Sequence, residues 1–229
     1  MIDERSVPVM ILAFLVISGP AAGQKHVSFP AQDGGVVYAD MYGEGPRGVV
    51  LAHGGQFNKE SWQKQAQTLE KVGFHVLAID FRGYGQSRGP GQNDPGSAPL
   101  HLDILAAAGY LKKAGAMTVS VFGGSLGGGA GADAVISSQP GEIDRLVELG
   151  AAAGNLPPEK IGGRKLLIVA RGDASGSGLR LPGIQKDYAR MPEPKQLLIL
   201  GGSAHAQFLF QTDQGERVMQ EIVRFLSAP

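Results

Sequence analysis

Past residue 30 the chain alternates between two kinds of apolar pattern. The stretch "VVYADMYG" (36–43) alternates with period two and predicts an edge strand, whereas "GVVLAHGG" (48–55) is a continuous apolar run closed by glycines, as in a strand buried on both faces. From 59 to 72 the period changes: Trp62, Ala66, Leu69 and Val72 recur at helical spacing, and Gly73 ends the helix before the buried strand "FHVLAID" (74–80). The alternation continues through a Gly/Pro-rich loop (81–99), a helix (100–113), the strand "MTVSVF" (117–122), a glycine turn and a helix reaching Ser138. Next come the strands "RLVELGA" (145–151) and "KLLIVAR" (165–171), a short helix near 184–190, the strand "KQLLIL" (195–200) and a last helix over 213–226. Apolar strands separated by helices predict an α/β chain, a three-layer α/β/α sandwich around a mostly parallel sheet of about seven to eight strands. Right-handed crossovers then place the strand C-termini along one edge, where ligands bind.

Composition narrows the chemistry. The 229 residues carry 21 basic and 21 acidic side chains, scattered rather than in runs, which leaves no footprint for nucleic acid or an anionic membrane. No cysteine is present, so chemistry must come from Ser, His, Asp and backbone groups, without thiolates. The histidines lie far apart and lack paired carboxylates at ligand spacing, so no metal site is expected. "GEGPRG" (43–48) fits the dinucleotide fingerprint in form only, because it precedes a strand and opens no helix.

At the N-terminus, "VPVMILAFLVI" (7–17) is too short to span a bilayer and is followed by small residues suited to cleavage after Gly23. We read 1–23 as a secretory signal and 24–229 as one domain, secreted or periplasmic after processing and not membrane-bound. The leading "MIDERS" has two acids against one arginine, where such leaders carry a positive excess, so a helix packed on the domain is the alternative.

The glycine turn holds the candidate nucleophile. Gly123-Gly124-Ser125-Leu126-Gly127 fits G-x-S-x-G between a strand and a helix, the setting in which a serine is exposed on a sharp turn. A serine hydroxyl needs a base, and the base needs a carboxylate to fix its tautomer. His205 follows the last strand, and Asp173 follows "LLIVARG", giving the order Ser, Asp, His along the chain. Asp187 and Asp144 are fallback acids. His26 and His75 lie in or beside strand patterns and His101 on a helix, all read as structural. An oxyanion hole needs two N–H donors; Leu126 supplies one, and Gly55 or Gln56, in "HGGQF", the other. The His53 ring is read as a brace for that loop, and Asp80, Arg82 and Ser87 as residues that order their own loop.

With these stretches in order, "HGG" (53–55), "DFRGYGQS" (80–87), "GGSLGG" (123–128), "ARGD" (170–173) and "GGSAH" (201–205), the chain resembles the α/β-hydrolases from about residue 30 to its end. Many relatives carry the acid three residues after the glycine, where this chain has Ser175, and many carry a helical lid where only about fourteen residues, 152–165, are available here. The resemblance implies a lidless serine hydrolase, without a cofactor, whose partner is a small-molecule carboxylic ester with a short or exposed acyl group. The same triad would serve a peptidase, a thioesterase or a dienelactone-type hydrolase, and a non-catalytic binding protein would retain the same pocket.

Overall fold

A computed structural model describes residues 23–229; the apolar run at 7–17 and the rest of the expected leader before Gly23 lie outside the described residues. In chain order the strands are β1 (Lys25–Pro30), β2 (Val36–Tyr42), β3 (Arg47–Ala52), β4 (Phe74–Ile79), β5 (Thr118–Gly124), β6 (Arg145–Leu149), β7 (Arg164–Ala170), a two-residue pair β8 (Ala174–Ser175) and β9 (Gly178–Leu179), and β10 (Lys195–Leu200). The α-helices are α1 (Gln63–Lys71), α2 (His101–Lys113), α3 (Leu126–Ser137), α4 (Leu181–Arg190) and α5 (Gly215–Ser227).

Eight strands form one sheet in the order β1-β2-β4-β3-β5-β6-β7-β10. All neighbours from β4 to β10 pair in parallel, whereas β2 runs antiparallel to both β1 and β4. The stretch read as an edge strand is therefore internal. The true edge is β1, where only Phe29 is buried, so its residues carry no apolar signature. The helix expected over 59–72 begins with a 3₁₀ turn, Lys59–Trp62, and a second 3₁₀ turn, Ala206–Gln211, follows β10 unannounced by the sequence.

The faces of the central strands alternate between two cores. Val50, Leu77, Val121, Leu146 and Leu167 pack with α2, α3 and α4, while Leu51, Phe122, Val147 and Ile168 pack with α1 and α5. Trp62 is fully buried in the second core with its ring 4.7 Å from that of Phe122, so it packs on the sheet. Arg82 is fully buried, with Nη2 2.7 Å from Asp103 Oδ1 and a second ion pair to Asp33, and this clamps the loop after β4 onto α2 and the turn after β1. The Ser87 hydroxyl donates to the Asp80 carbonyl and accepts from the Tyr38 N–H, each at 2.8 Å.

The strand order reverses at β3 and β5: β3 connects to β4 on one side, and β5 to β6 on the other. A crevice opens beyond the C-termini of strands at such a reversal. Here those ends carry His53-Gly54-Gly55 and the Ser125 turn. Between β6 and β7 the fourteen residues 150–163 form only one 3₁₀ turn, Pro158–Lys160, so no helical lid stands there.

Candidate active site

The turn after β5 is as tight as its glycines foretold. Ser125 has φ 51° and ψ −112°, a left-handed conformation that L residues avoid, at a cost of roughly 1–3 kcal/mol offset by its surroundings. A β-carbon on Gly123 would strike the Gly127 carbonyl, and one on Gly127 would strike the Ala52 carbonyl at the end of β3. Only hydrogen at these two positions lets α3 start against the sheet while Ser125 stands clear of both.

Ser125 Oγ lies 2.7 Å from His205 Nε2, and His205 Nδ1 lies 2.8 Å from Asp173 Oδ2. Asp173 accepts from Nδ1–H, which leaves Nε2 as the acceptor of the serine proton. The Asp173 side chain is 1% exposed and that of His205 26%, so the carboxylate is dry while the imidazole is partly open to solvent. Beneath them, Gly150 at φ +64° closes β6; a β-carbon there would come within 2.8 Å of His205 Nδ1 and 2.9 Å of Asp173 Oδ2. The structure thus brings together the three residues expected from the sequence. The fallback acids stand elsewhere: Asp144 precedes β6 at the opposite edge of the sheet, and Asp187 lies on α4, 3.8 Å from Arg190.

The loop after β3 faces Ser125 from the other side. His53 is fully buried; its Nε2 accepts from the Phe81 N–H at 3.2 Å, so Nδ1 carries the hydrogen and donates to the Gly54 carbonyl at 2.9 Å. Burial lowers its pKa to about 4, and the neutral ring ties the loops after β3 and β4 together without touching the serine. Gln207 was not anticipated. Its Oε1 accepts from the Gly54 N–H at 2.8 Å and its Nε2 donates to Ser61 at 2.7 Å. With Gly54 engaged, the N–H groups of Gly55 and Gln56, like that of Leu126 at the start of α3, donate to no protein group among the described residues. These are the donors expected for an oxyanion hole.

A cavity of about 550 Å³ opens over Ser125. Small residues dominate its walls, among them Ala130, Ala151 and Ala153, with His101, Asp133, Arg180 and Asp187 as its titratable members. His101, expected to be purely structural, lines this cavity from the first turn of α2. Asp133 accepts from the Asn155 and Leu156 N–H groups at 2.9 Å each. Glu148, next to Leu149 at the end of β6, is completely buried and, among the described residues, has no hydrogen-bond partner for either oxygen; burial first, then Asp187 and Asp133, pushes its pKa up to about 8. Among the described residues no group of three or more His, Cys, Asp or Glu is placed to hold a metal ion, and no helix is long and apolar enough to cross a membrane.

A family model described as the alpha/beta hydrolase fold matches residues 48–187. An AB hydrolase superfamily protein of Bacillus subtilis (YisY) is 28% identical over 117 residues, 51% of this chain and 42% of that protein, so the chain spans under half the length of this relative. Among solved structures, an esterase from Exiguobacterium antarcticum superposes with a TM-score of 0.71 at 16% identity over 89% of this chain and 100% of the other. A dienelactone hydrolase from Anabaena variabilis gives a TM-score of 0.68 at 20% identity over 88% and 95% of the two chains.

Proposed function

Since the chain belongs to the alpha/beta hydrolase fold family, we propose that it is a serine hydrolase that cleaves carboxylic esters through an acyl-enzyme. The observation that carries this reading is the unbroken hydrogen-bonded line from Ser125 through His205 to Asp173, opening onto a cavity. Ser125 Oγ attacks the acyl carbonyl while His205 Nε2 takes its proton. Asp173 holds Nδ1–H and balances the imidazolium that forms. Negative charge developing on the carbonyl oxygen is met by the Leu126 N–H and that of Gly55 or Gln56, donors worth roughly 3–4 kcal/mol each when preorganised. His205 then protonates the leaving alcohol, and water activated by the same ring releases the acid and frees Ser125.

The open, small-residue walls and the absence of a helical lid between β6 and β7 favour short or exposed acyl groups over long lipid chains. The apolar run at 7–17 supports an exported protein, secreted or periplasmic, that meets small-molecule esters outside the cytoplasm. The test is intact-protein mass spectrometry after treatment with a fluorophosphonate probe, run beside Ser125→Ala. A single adduct on the parent, mapped to Ser125 and absent from the variant, is expected. A folded parent left unlabelled under conditions that label a control hydrolase would overturn the proposal.

A further inference from the structure

Between Asp173 and α4 the chain makes a two-residue hairpin, β8–β9, whose exposed residues bury almost nothing. It returns the chain to the site: the Arg180 N–H donates to the Asp173 carbonyl at 2.9 Å, and Arg180 lines the cavity shared with Ser125. Its side chain is 33% exposed, and its Nε stands 3.3 Å from Asp173 Oδ1, an ion pair outside hydrogen-bonding geometry. No guanidinium nitrogen of Arg180 donates to a protein acceptor among the described residues.

The ion pair to Asp173 leaves the guanidinium without a hydrogen-bonded acceptor among the described residues, in a costly place for a cation. Arg180 is the N-cap of the ten-residue α4, where the positive end of the helix dipole disfavours positive charge and the first-turn N–H groups also seek acceptors. Gly183, in that first turn, lines the same cavity. Around it, Asp133 accepts from the N–H groups of Asn155 and Leu156, Asp187 lies 3.8 Å from Arg190 one turn along α4, and Asp173 meets Arg180 Nε through Oδ1 while its Oδ2 is held by His205. A planar fork of donors, open to a cavity and set against a helix N-terminus, matches a carboxylate in geometry as well as charge.

We infer that Arg180 is the recognition site for a carboxylate on the substrate, so that the preferred esters are those bearing a free carboxylate within reach of the scissile bond. This rests on the ester-hydrolase reading and adds to it the substrate class. Binding of the carboxylate also satisfies the N-terminal turn of α4 and shields the guanidinium from water as the acyl group reaches Ser125.

The experiment compares charged esters with their uncharged twins. Mono-4-nitrophenyl adipate against methyl 4-nitrophenyl adipate places the charge on the acyl side; the butyrate ester of 4-hydroxyphenylacetate against that of its methyl ester places it on the alcohol side. The parent should favour the charged member of at least one pair in kcat/KM by about 10- to 100-fold, the worth of one charge-assisted hydrogen-bonded pair, with the difference in KM. Arg180→Gln should bring that ratio near one, and Arg180→Lys should restore part of it. Because a ratio is read, any loss common to both esters through the contact with Asp173 divides out. A parent with no preference in either pair, or a ratio that survives Arg180→Gln, overturns the inference. Calorimetric titration of Ser125→Ala protein with mono-4-nitrophenyl adipate and with 4-hydroxyphenylacetate, with and without Arg180→Gln, reads binding free of turnover. Arg180-dependent binding in a protein that hydrolyses no ester would retain the carboxylate site and sink the esterase reading, whereas turnover without Arg180-dependent discrimination would do the reverse.

Discussion

Glu148→Gln should make the protein more stable, and increasingly so as pH rises. Glu148 sits on β6 opposite Gly123 of β5 and Leu167 of β7, wholly out of solvent, with neither carboxylate oxygen hydrogen-bonded among the described residues. It lies beside Gly128 of α3, where an added β-carbon would stand 3.6 Å from Glu148 Cβ. Burial in this interior, reinforced by Asp187 and Asp133, moves the carboxyl from its ordinary 4.5 up to about 8. Below the ordinary value both folded and unfolded chains hold the proton, and the group adds no pH dependence. Between the two values the unfolded chain releases the proton while the folded chain keeps it, so stability falls as pH rises, and it levels off once the folded carboxyl also ionises.

At about 1.4 kcal/mol per pH unit that interval sets a ceiling of about 5 kcal/mol, of which about 3 kcal/mol is already lost at neutral pH. Glutamine keeps the shape and cannot ionise. Urea unfolding of parent and variant at about pH 5, 7 and 8.5 should therefore give a gap that widens by at least about 2 kcal/mol from the acid to the alkaline end, with unchanged m-values. A fixed penalty for the buried amide would offset all three points equally and leave the widening intact. Parallel stability curves would refute the reasoning, since they would mean that the folded carboxyl ionises as freely as the unfolded one and that water or a cation reaches it.

Two other substitutions probe how the site is held. Gly150→Ala places a methyl group against His205 and Asp173 and strains a left-handed backbone, so kcat for the proposed ester hydrolysis should fall at least about tenfold and stability by about 1–3 kcal/mol; normal turnover would show that the imidazole and carboxylate do not depend on that gap. Gln207→Leu strands the buried Gly54 N–H, which should cost about 1–3 kcal/mol in urea unfolding. It should also slow fluorophosphonate labelling of Ser125, because the loop bearing Gly55 and Gln56 loses its anchor, and an unchanged labelling rate would remove Gln207 from the support of the site.

What could be read from the chain and what could not divide along one physical line. Ser125, Asp173 and His205 each follow an apolar run that breaks at a glycine, and a parallel sheet delivers every such break to the same edge, so local pattern plus topology sufficed to bring them together. The β1 strand escaped because an edge strand with one buried side chain leaves no periodic trace. Glu148 escaped because "RLVEL" looks like any strand with one tolerated polar residue, and only the pairing of β6 between β5 and β7 reveals that this residue has no route to water.

Gln207 and Arg180 are the more instructive misses. Gln207 meets Gly54 across 153 residues of sequence, through a 3₁₀ turn whose onset at Ala206 needs a left-handed backbone at φ 49°. Nothing near either residue encodes the other; the contact exists because β3 and the segment after β10 end at the same edge. Arg180 reaches the cavity through a hairpin that offered only a Gly/Ser/Pro stretch to sequence reading, yet this stretch sets the acid three residues after the end of β7 and the guanidinium at the start of α4. The groups proposed to do the chemistry thus come from strand ends, which patterning exposes. Gln207, which holds the loop, and Arg180, the proposed carboxylate site, come from the irregular segments between them, where loop length and a single side chain count for more than period.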